Sequence, residues 1–146
     1  MQKVSKNIQD TKKIAKEFLT NLKLGKEKAT VVGLYGNLGT GKTTFVQFLA
    51  RELGVKRKVN SPTYVIIKNY ELKITNFKKL FHIDAYRLKN EKELVHLGWD
   101  EIISKKEHLV FIEWPENIIK ALPKKHHKIK ISHTKEGHRK FQIKNI

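Results

Sequence analysis

The segment Gly36-Asn37-Leu38-Gly39-Thr40-Gly41-Lys42-Thr43 carries the spacing Gly-x-x-x-x-Gly-Lys-Ser/Thr, and nothing else in the chain restricts the fold as tightly. Just before it, Thr30-Val31-Val32-Gly33-Leu34-Tyr35 is a β-branched run of strand length. Just after it, Phe45, Val46, Phe48, Leu49 and Leu53 recur at helical spacing, closed by Gly54. A buried strand feeding a glycine loop and then a helix turns backbone N–H groups and a helix N-terminus onto one point, the arrangement that holds phosphate oxygens. Glycines at 36, 39 and 41 allow close backbone approaches that a β-carbon would obstruct. In such a loop Lys42 reaches the β- and γ-phosphates of a nucleotide and the Thr43 hydroxyl ligates Mg²⁺.

The rest of the chain reads as an α/β domain built around that unit. Ile14, Phe18, Leu19 and Leu22 fall on one helical face, with Asn7 or Asp10 placed to cap its start. Val65-Ile66-Ile67 and Leu80-Phe81-His82-Ile83 are strand candidates, and the polar stretch between them suits an antiparallel hairpin better than a crossover helix. Residues 90–104 read as helix broken at Gly98, and Leu109 to Ile112 as a short buried strand. Lys128 to Ile131 and Phe141 to Ile143 alternate as half-buried strands do. The expectation is a P-loop NTPase-like three-layer sandwich with a mixed sheet, parallel at its core with antiparallel additions, as one domain over residues 1–146.

A nucleotide site of this kind needs a carboxylate across the sheet for the metal, usually at the C-terminal end of a buried strand. Glu113 follows Leu109 to Ile112 directly, and Asp84 follows Phe81 to Ile83; position alone does not divide the work between them. There are no cysteines, which excludes a disulfide scaffold, a thiolate metal site and a cysteine nucleophile. The longest apolar runs fall far short of the roughly 18 residues that span a bilayer, so a cytoplasmic location is the simplest expectation. The seven histidines lack metal-ligand spacing, and the adjacent His126 and His127 would point to opposite faces of a strand. The formal net charge of +17 attracts polyanions, but its lysines are scattered, and the arginines are only Arg51, Arg57, Arg87 and Arg139.

Taken jointly, five motifs resemble the TsaE proteins, bacterial ATPases of tRNA threonylcarbamoyladenosine synthesis. They are Gly36 to Thr44, then Ser61-Pro62-Thr63-Tyr64, then His82-Ile83-Asp84-Ala85-Tyr86-Arg87-Leu88, then Glu93-Leu94 with Leu97-Gly98, then Ile112-Glu113-Trp114-Pro115-Glu116. The glycine loop is generic, whereas the second, third and fifth are specific. The resemblance implies an Mg²⁺-dependent ATPase acting with TsaB and TsaD, which modify the adenosine 3′ of the anticodon in tRNAs reading codons that begin with A. It also implies that the chain resets that complex rather than transferring the carbamoyl group.

Carried over, Thr43 and Glu113 look like the magnesium pair, with Lys42 on the terminal phosphates. Asp84 is similar to the family acid beside the γ-phosphate, where it orients the attacking water or a metal-bound one. Thr63 matches a loop that senses the γ-phosphate, although Ser-Pro is also plain turn chemistry. Arg87 either neutralises transition-state charge or pairs with Asp84 or a carboxylate on TsaD, the structural pair being the simpler reading. Trp114 and Tyr86 mark either core or a partner-facing patch, and adenine contacts come from near Thr11 or from Gly137 to Arg139.

Two other functions compete. A small-molecule kinase would use the same loop to phosphorylate a bound alcohol, but commonly adds an arginine-rich lid that this chain lacks the arginines to build. A basic RNA-binding module would use the +17 charge directly, yet the aromatic pattern of RNA-recognition sheets is missing. A weak or indirect tRNA contact is compatible with either enzyme reading.

Overall fold

The computed structural model describes residues 1–57 and 66–146. The segment Ser61 to Tyr64, with Thr63, and the strand candidate at Val65 lie outside the described residues. Seven strands form one sheet: β1 (Gln2–Ser5), β2 (Thr30–Tyr35), β3 (Ile67–Glu71), β4 (Lys79–Asp84), β5 (His108–Glu113), β6 (His127–His133) and β7 (Arg139–Lys144). Their spatial order is β1-β7-β6-β2-β5-β4-β3. The four central strands, β6, β2, β5 and β4, run parallel, while β3 pairs antiparallel with β4, β7 with β6, and β1 with β7. The fold is therefore α/β with a mixed sheet, as the apolar runs at its centre and the alternating runs at its edges led one to expect.

Helices α1 (Ile8–Thr20) and α2 (Lys42–Glu52) cover one face, burying Ile14, Phe18, Phe45, Val46 and Leu49 against Val32, Leu34, Phe111, Ile129 and Phe141. Asn7 caps α1, its side chain accepting from the Asp10 amide at 2.8 Å. The second face holds α3 (Glu91–His96), α4 (Trp99–Ile103) and a 3-10 segment (Pro115–Ala121), packed on Val31, Ile83, Val110 and Ile112. Asn90 accepts from the amides of Lys92 and Glu93 while the Glu93 carboxylate accepts from the Lys89 amide, a reciprocal cap that fixes where α3 begins. Gly98, at φ 93°, supplies the left-handed turn between α3 and α4. Such layers on both faces make the three-layer sandwich.

The structure departs from the sequence reading at the edges. β3 runs to Glu71, beyond the apolar Ile66-Ile67, because Tyr70 is buried beneath the hairpin with the Arg57 guanidinium 4.9 Å from its ring centre. β1 had no local signal at all; it exists by pairing with β7, Lys3 opposite Phe141. Adjacent His126 and His127 do face opposite sides: His127 meets the Phe18 ring edge-on beneath α1, and His126 lies against Tyr35.

Burial holds the His127 imidazole below its ordinary value of 6.5, only partly offset by its hydrogen bond to Asn145. The unfolded chain therefore takes up this proton first, so stability present above about pH 6.5 is lost as pH falls toward the depressed folded value. In urea unfolding at pH 7.5 and pH 5.0, about a unit and more either side of the ordinary histidine value, His127→Gln should lose less stability on acidification than the wild type. An equal loss in both would remove His127 as the cause.

Candidate functional site

The parallel register of the central strands brings the site together. Leu34 of β2 lies opposite Glu113 of β5, which lies opposite Asp84 of β4, so three strands end level with one another. Directly beyond β2 the chain turns through residues 36–41 into α2. Gly36, at φ 147°, is forced by packing: a β-carbon there would stand 2.5 Å from the Ile131 carbonyl oxygen and 2.8 Å from Thr40 Oγ1. Gly41 caps α2 at φ 99° in the left-handed region, which leaves the first-turn amides of an eleven-residue helix pointing into the cleft. Thr40 Oγ1 donates to the Asn37 carbonyl at 2.9 Å and His133 lies 3.2 Å from the Gly39 carbonyl, so the loop is braced from within and from β6.

An open cleft of about 360 Å³ runs along this loop, lined by residues 37–44 together with Asp84, Tyr86, Glu113, Trp114 and Arg139. At its centre Thr43 Oγ1 lies 2.9 and 3.1 Å from the two oxygens of Glu113. The other side of that carboxylate meets His82 Nε2 at 2.6 Å. Since an ionised carboxylate only accepts, the imidazole donates from Nε2, and His82 Nδ1 is buried with no hydrogen-bond partner among the described residues. Glu113 is 3% exposed and His82 fully buried, so the carboxylate is fixed in orientation. Asp84 is half-buried, and one oxygen accepts from the Tyr86 amide at 3.0 Å.

Lys42 is buried although it faces this cleft. Its ammonium donates to the carbonyls of Gly36 and Asn37, the latter at 3.3 Å, and lies 3.9 Å from the centre of the Trp114 ring. Burial pulls the Lys42 ammonium below the ordinary lysine value, while Glu113, Glu116 and Asp84 pull it back up. Trp114 holds φ 58° and ψ 48°, a left-handed conformation uncommon outside glycine, at the corner between β5 and the 3-10 segment. Its ring packs on Tyr86 at 5.0 Å between centres. Trp114, half-buried against the second-face core, and the half-exposed Tyr86 both line the cleft wall.

Of the residues the sequence left open, Arg139 lines the cleft: its guanidinium packs where a β-carbon of residue 41 would meet it at 3.0 Å. Arg87 is exposed on the turn beyond β4. Thr11 is buried and joins β1 to α1, its hydroxyl 2.6 Å from Ser5 Oγ, and it does not line the cleft. His82, inside a quoted motif, had no role assigned from sequence; its contact with Glu113 follows from the β4–β5 register, in which it pairs with Phe111, two residues before Glu113.

The donor set suits a magnesium ion and a polyphosphate. Among the described residues no three His, Cys, Asp or Glu side chains form a metal cage of their own. Mg²⁺ is usually held by one or two carboxylates with substrate phosphates and water, which matches a hydroxyl and a carboxylate converging beside the glycine loop. Gly36→Ala should destabilise the fold at least twice as much as Gly39→Ala in urea unfolding. At residue 39, φ is 77° with no heavy atom within 4 Å. Its left-handed strain costs about 1 kcal/mol, whereas residue 36 adds a backbone clash.

The comparisons with known proteins agree with one another. The family model described as threonylcarbamoyl adenosine biosynthesis protein TsaE matches residues 5–141. The chain is 37% identical over 135 residues to the tRNA threonylcarbamoyladenosine biosynthesis protein TsaE of Bacillus subtilis, covering 92% of this chain and 79% of that protein. To the protein of the same name from Borreliella burgdorferi it is 36% identical over 110 residues, covering 75% and 74%. The crystal structure of Bacillus subtilis YdiB superposes with a TM-score of 0.77 at 29% identity, covering 98% of this chain and 83% of that one. With the glycine loop at the C-terminal edge of a parallel sheet, and a family model that spans nearly the whole chain, the protein belongs to the TsaE family.

Proposed function

We propose that this chain hydrolyses ATP with Mg²⁺ and, acting with TsaB and TsaD in the cytoplasm, serves the threonylcarbamoylation of the adenosine 3′ of the anticodon in tRNAs reading codons that begin with A. The observation that carries this reading is the Thr43–Glu113 hydrogen bond at the mouth of the glycine loop. It sets a metal-ligating hydroxyl and a carboxylate side by side where the loop amides and Lys42 converge. The names of the relatives supply the pathway. No helix among the described residues is long and apolar enough to cross a membrane.

In this mechanism the amides of residues 37–43 and the N-terminus of α2 grip the phosphate chain. Lys42 leaves the Gly36 and Asn37 carbonyls and moves to the terminal phosphate oxygens. Thr43 and Glu113 would hold magnesium, with Asp84 close enough to take part, and the ion would neutralise charge on the β- and γ-phosphates. His82 keeps the Glu113 oxygens turned toward Thr43, as outer-shell histidines and carboxylates do at metal sites. Asp84 orients the attacking water, and Arg139 adds positive charge over the loop at Gly41. Phosphoryl transfer depends mainly on positioning and charge neutralisation, so a site whose last group arrives with a partner turns over slowly alone. Thr63 is assigned to sensing the γ-phosphate. The hydrolytic cycle resets the TsaB–TsaD complex between turnovers.

ATP hydrolysis by wild type, Lys42→Ala and Glu113→Ala, each with and without TsaB–TsaD, tests the assignment. Each variant should fall by about 10²-fold or more, the usual cost of removing one charge-stabilising group. Wild type should accelerate when TsaB–TsaD is added. Wild-type rates in both variants would refute the site, and equal rates with and without partners would refute the coupling.

A further inference from the structure

The helices cover the sheet unevenly. On the second face, α3, α4 and the 3-10 segment pack on β2, β5, β4 and Ile67 of β3, and among the described residues no helix covers the half formed by β6, β7 and β1. Strand alternation decides what stands there. Ile129, Ile131, Phe141 and Ile143 turn toward α1 and α2, so Lys128, Lys130 and Ser132 of β6 and Lys140, Gln142 and Lys144 of β7 turn to the open side. Lys144 lies across from Lys128, Gln142 from Lys130, and Lys140 from Ser132. β1 adds Gln2 and Val4, so none of the three strands places an acidic residue on this face. A groove of about 1380 Å³ follows it up to Gly36 and Leu38, with Glu116 as the acid on its rim.

We propose that this face docks the phosphate backbone of folded RNA. Its charge is of one sign, carried by lysines about 7 Å apart along β6 and about 5 Å from strand to strand, a lattice that meets a string of phosphates at several points. Its uncharged polar members, Ser132, Gln142 and Gln2, donate to phosphate and sugar oxygens, and Val4 is its one apolar side chain. Lysine is depleted from protein–protein interfaces, whose centres are apolar and aromatic; here lysines hold the strand floor, and the apolar Leu38, Trp114 and Ile119 line the groove beside it. Unstacked single strands need exposed aromatic platforms. Of the two aromatic residues lining the groove, Tyr35 has its ring stacked on His126 and its hydroxyl 3.0 Å from His126 Nε2, and the Trp114 ring is engaged by Tyr86 and the Lys42 ammonium. The inference concerns the strand face of β6, β7 and β1, whose groove meets the cleft at Asn37, Leu38, Thr40 and Trp114, and it does not depend on ATP hydrolysis.

The test measures fluorescence anisotropy of labelled, unfractionated tRNA against salt, using the full chain. One quadruple variant carries Lys128→Gln, Lys130→Gln, Lys140→Gln and Lys144→Gln. A control of identical net charge carries Lys13→Gln, Lys16→Gln, Lys105→Gln and Lys106→Gln, all exposed positions elsewhere. The face variant should bind at least tenfold more weakly near 0.1 M salt, with a log–log salt slope shallower by about three, as four lost phosphate contacts require. The control should change affinity less than threefold. Thermal unfolding and ATP hydrolysis without RNA should be unchanged in the face variant, and Lys42→Ala should keep its tRNA affinity, which separates this inference from the ATPase reading. Equal weakening in both quadruple variants would reduce the effect to diffuse attraction and overturn the proposal. No wild-type binding near 0.1 M salt would overturn it as well, and polyglutamate binding as tightly as tRNA would assign the face to an acidic protein.

Discussion

The hydrogen bond from Thr43 to Glu113 ties the first turn of α2 to the last residue of β5, and the arrangement of the molecule can be read outward from it. It forms because β2 and β5 are parallel neighbours with Leu34 level with Glu113, so the loop leaving β2 must return over the end of β5. The same level line brings Asp84 to the end of β4. His82 then closes on Glu113 from beneath, through the pleat of the adjacent strand. A buried carboxylate with two donors is tolerated where a lone one is not, since each donor replaces lost water. The pairing therefore answers a stability requirement and a positional one together.

Much of this geometry was legible because its residues sit at borders between local patterns. Gly36 to Thr43 interrupts a β-branched run and opens a helical one, and Asp84 and Glu113 each stand at or just past the end of an apolar strand. Such borders mark the C-terminal edge of a parallel sheet, where sites of this architecture lie. What stayed hidden depends on register and long-range packing. His82 looks like any residue of a buried strand until β4 is aligned with β5. From sequence Arg139 stands only among the candidate adenine contacts, and its place over Gly41 depends on the return of β7 beside β6. The backbone of Trp114 gives no signal in its neighbours, and β1 has no apolar alternation, its strand character coming wholly from its partner.

The histidines show how one residue type divides under physical constraint. His82 serves a carboxylate. His126 bridges the Pro123 carbonyl, 2.8 Å from its Nδ1, and the Tyr35 hydroxyl, and His127 supports the Phe18 ring beneath α1. Adjacency gives the opposite faces of His126 and His127, but the partners that set each role come only from long-range packing. Where imidazole is buried, the identity of its partner decides whether it acts as a positioner, a bridge or a filler.

The resting position of Lys42 makes ligand capture an exchange reaction. Its ammonium already occupies two carbonyls and the face of an indole, so an incoming anion trades existing partners for new ones instead of filling a vacancy. Swapped hydrogen bonds nearly cancel, and what survives in the balance is the difference in charge between a carbonyl dipole and a multiply ionised phosphate. Selectivity at this loop accordingly grows with the valence of the anion, so that small monovalent anions gain too little to unseat the lysine.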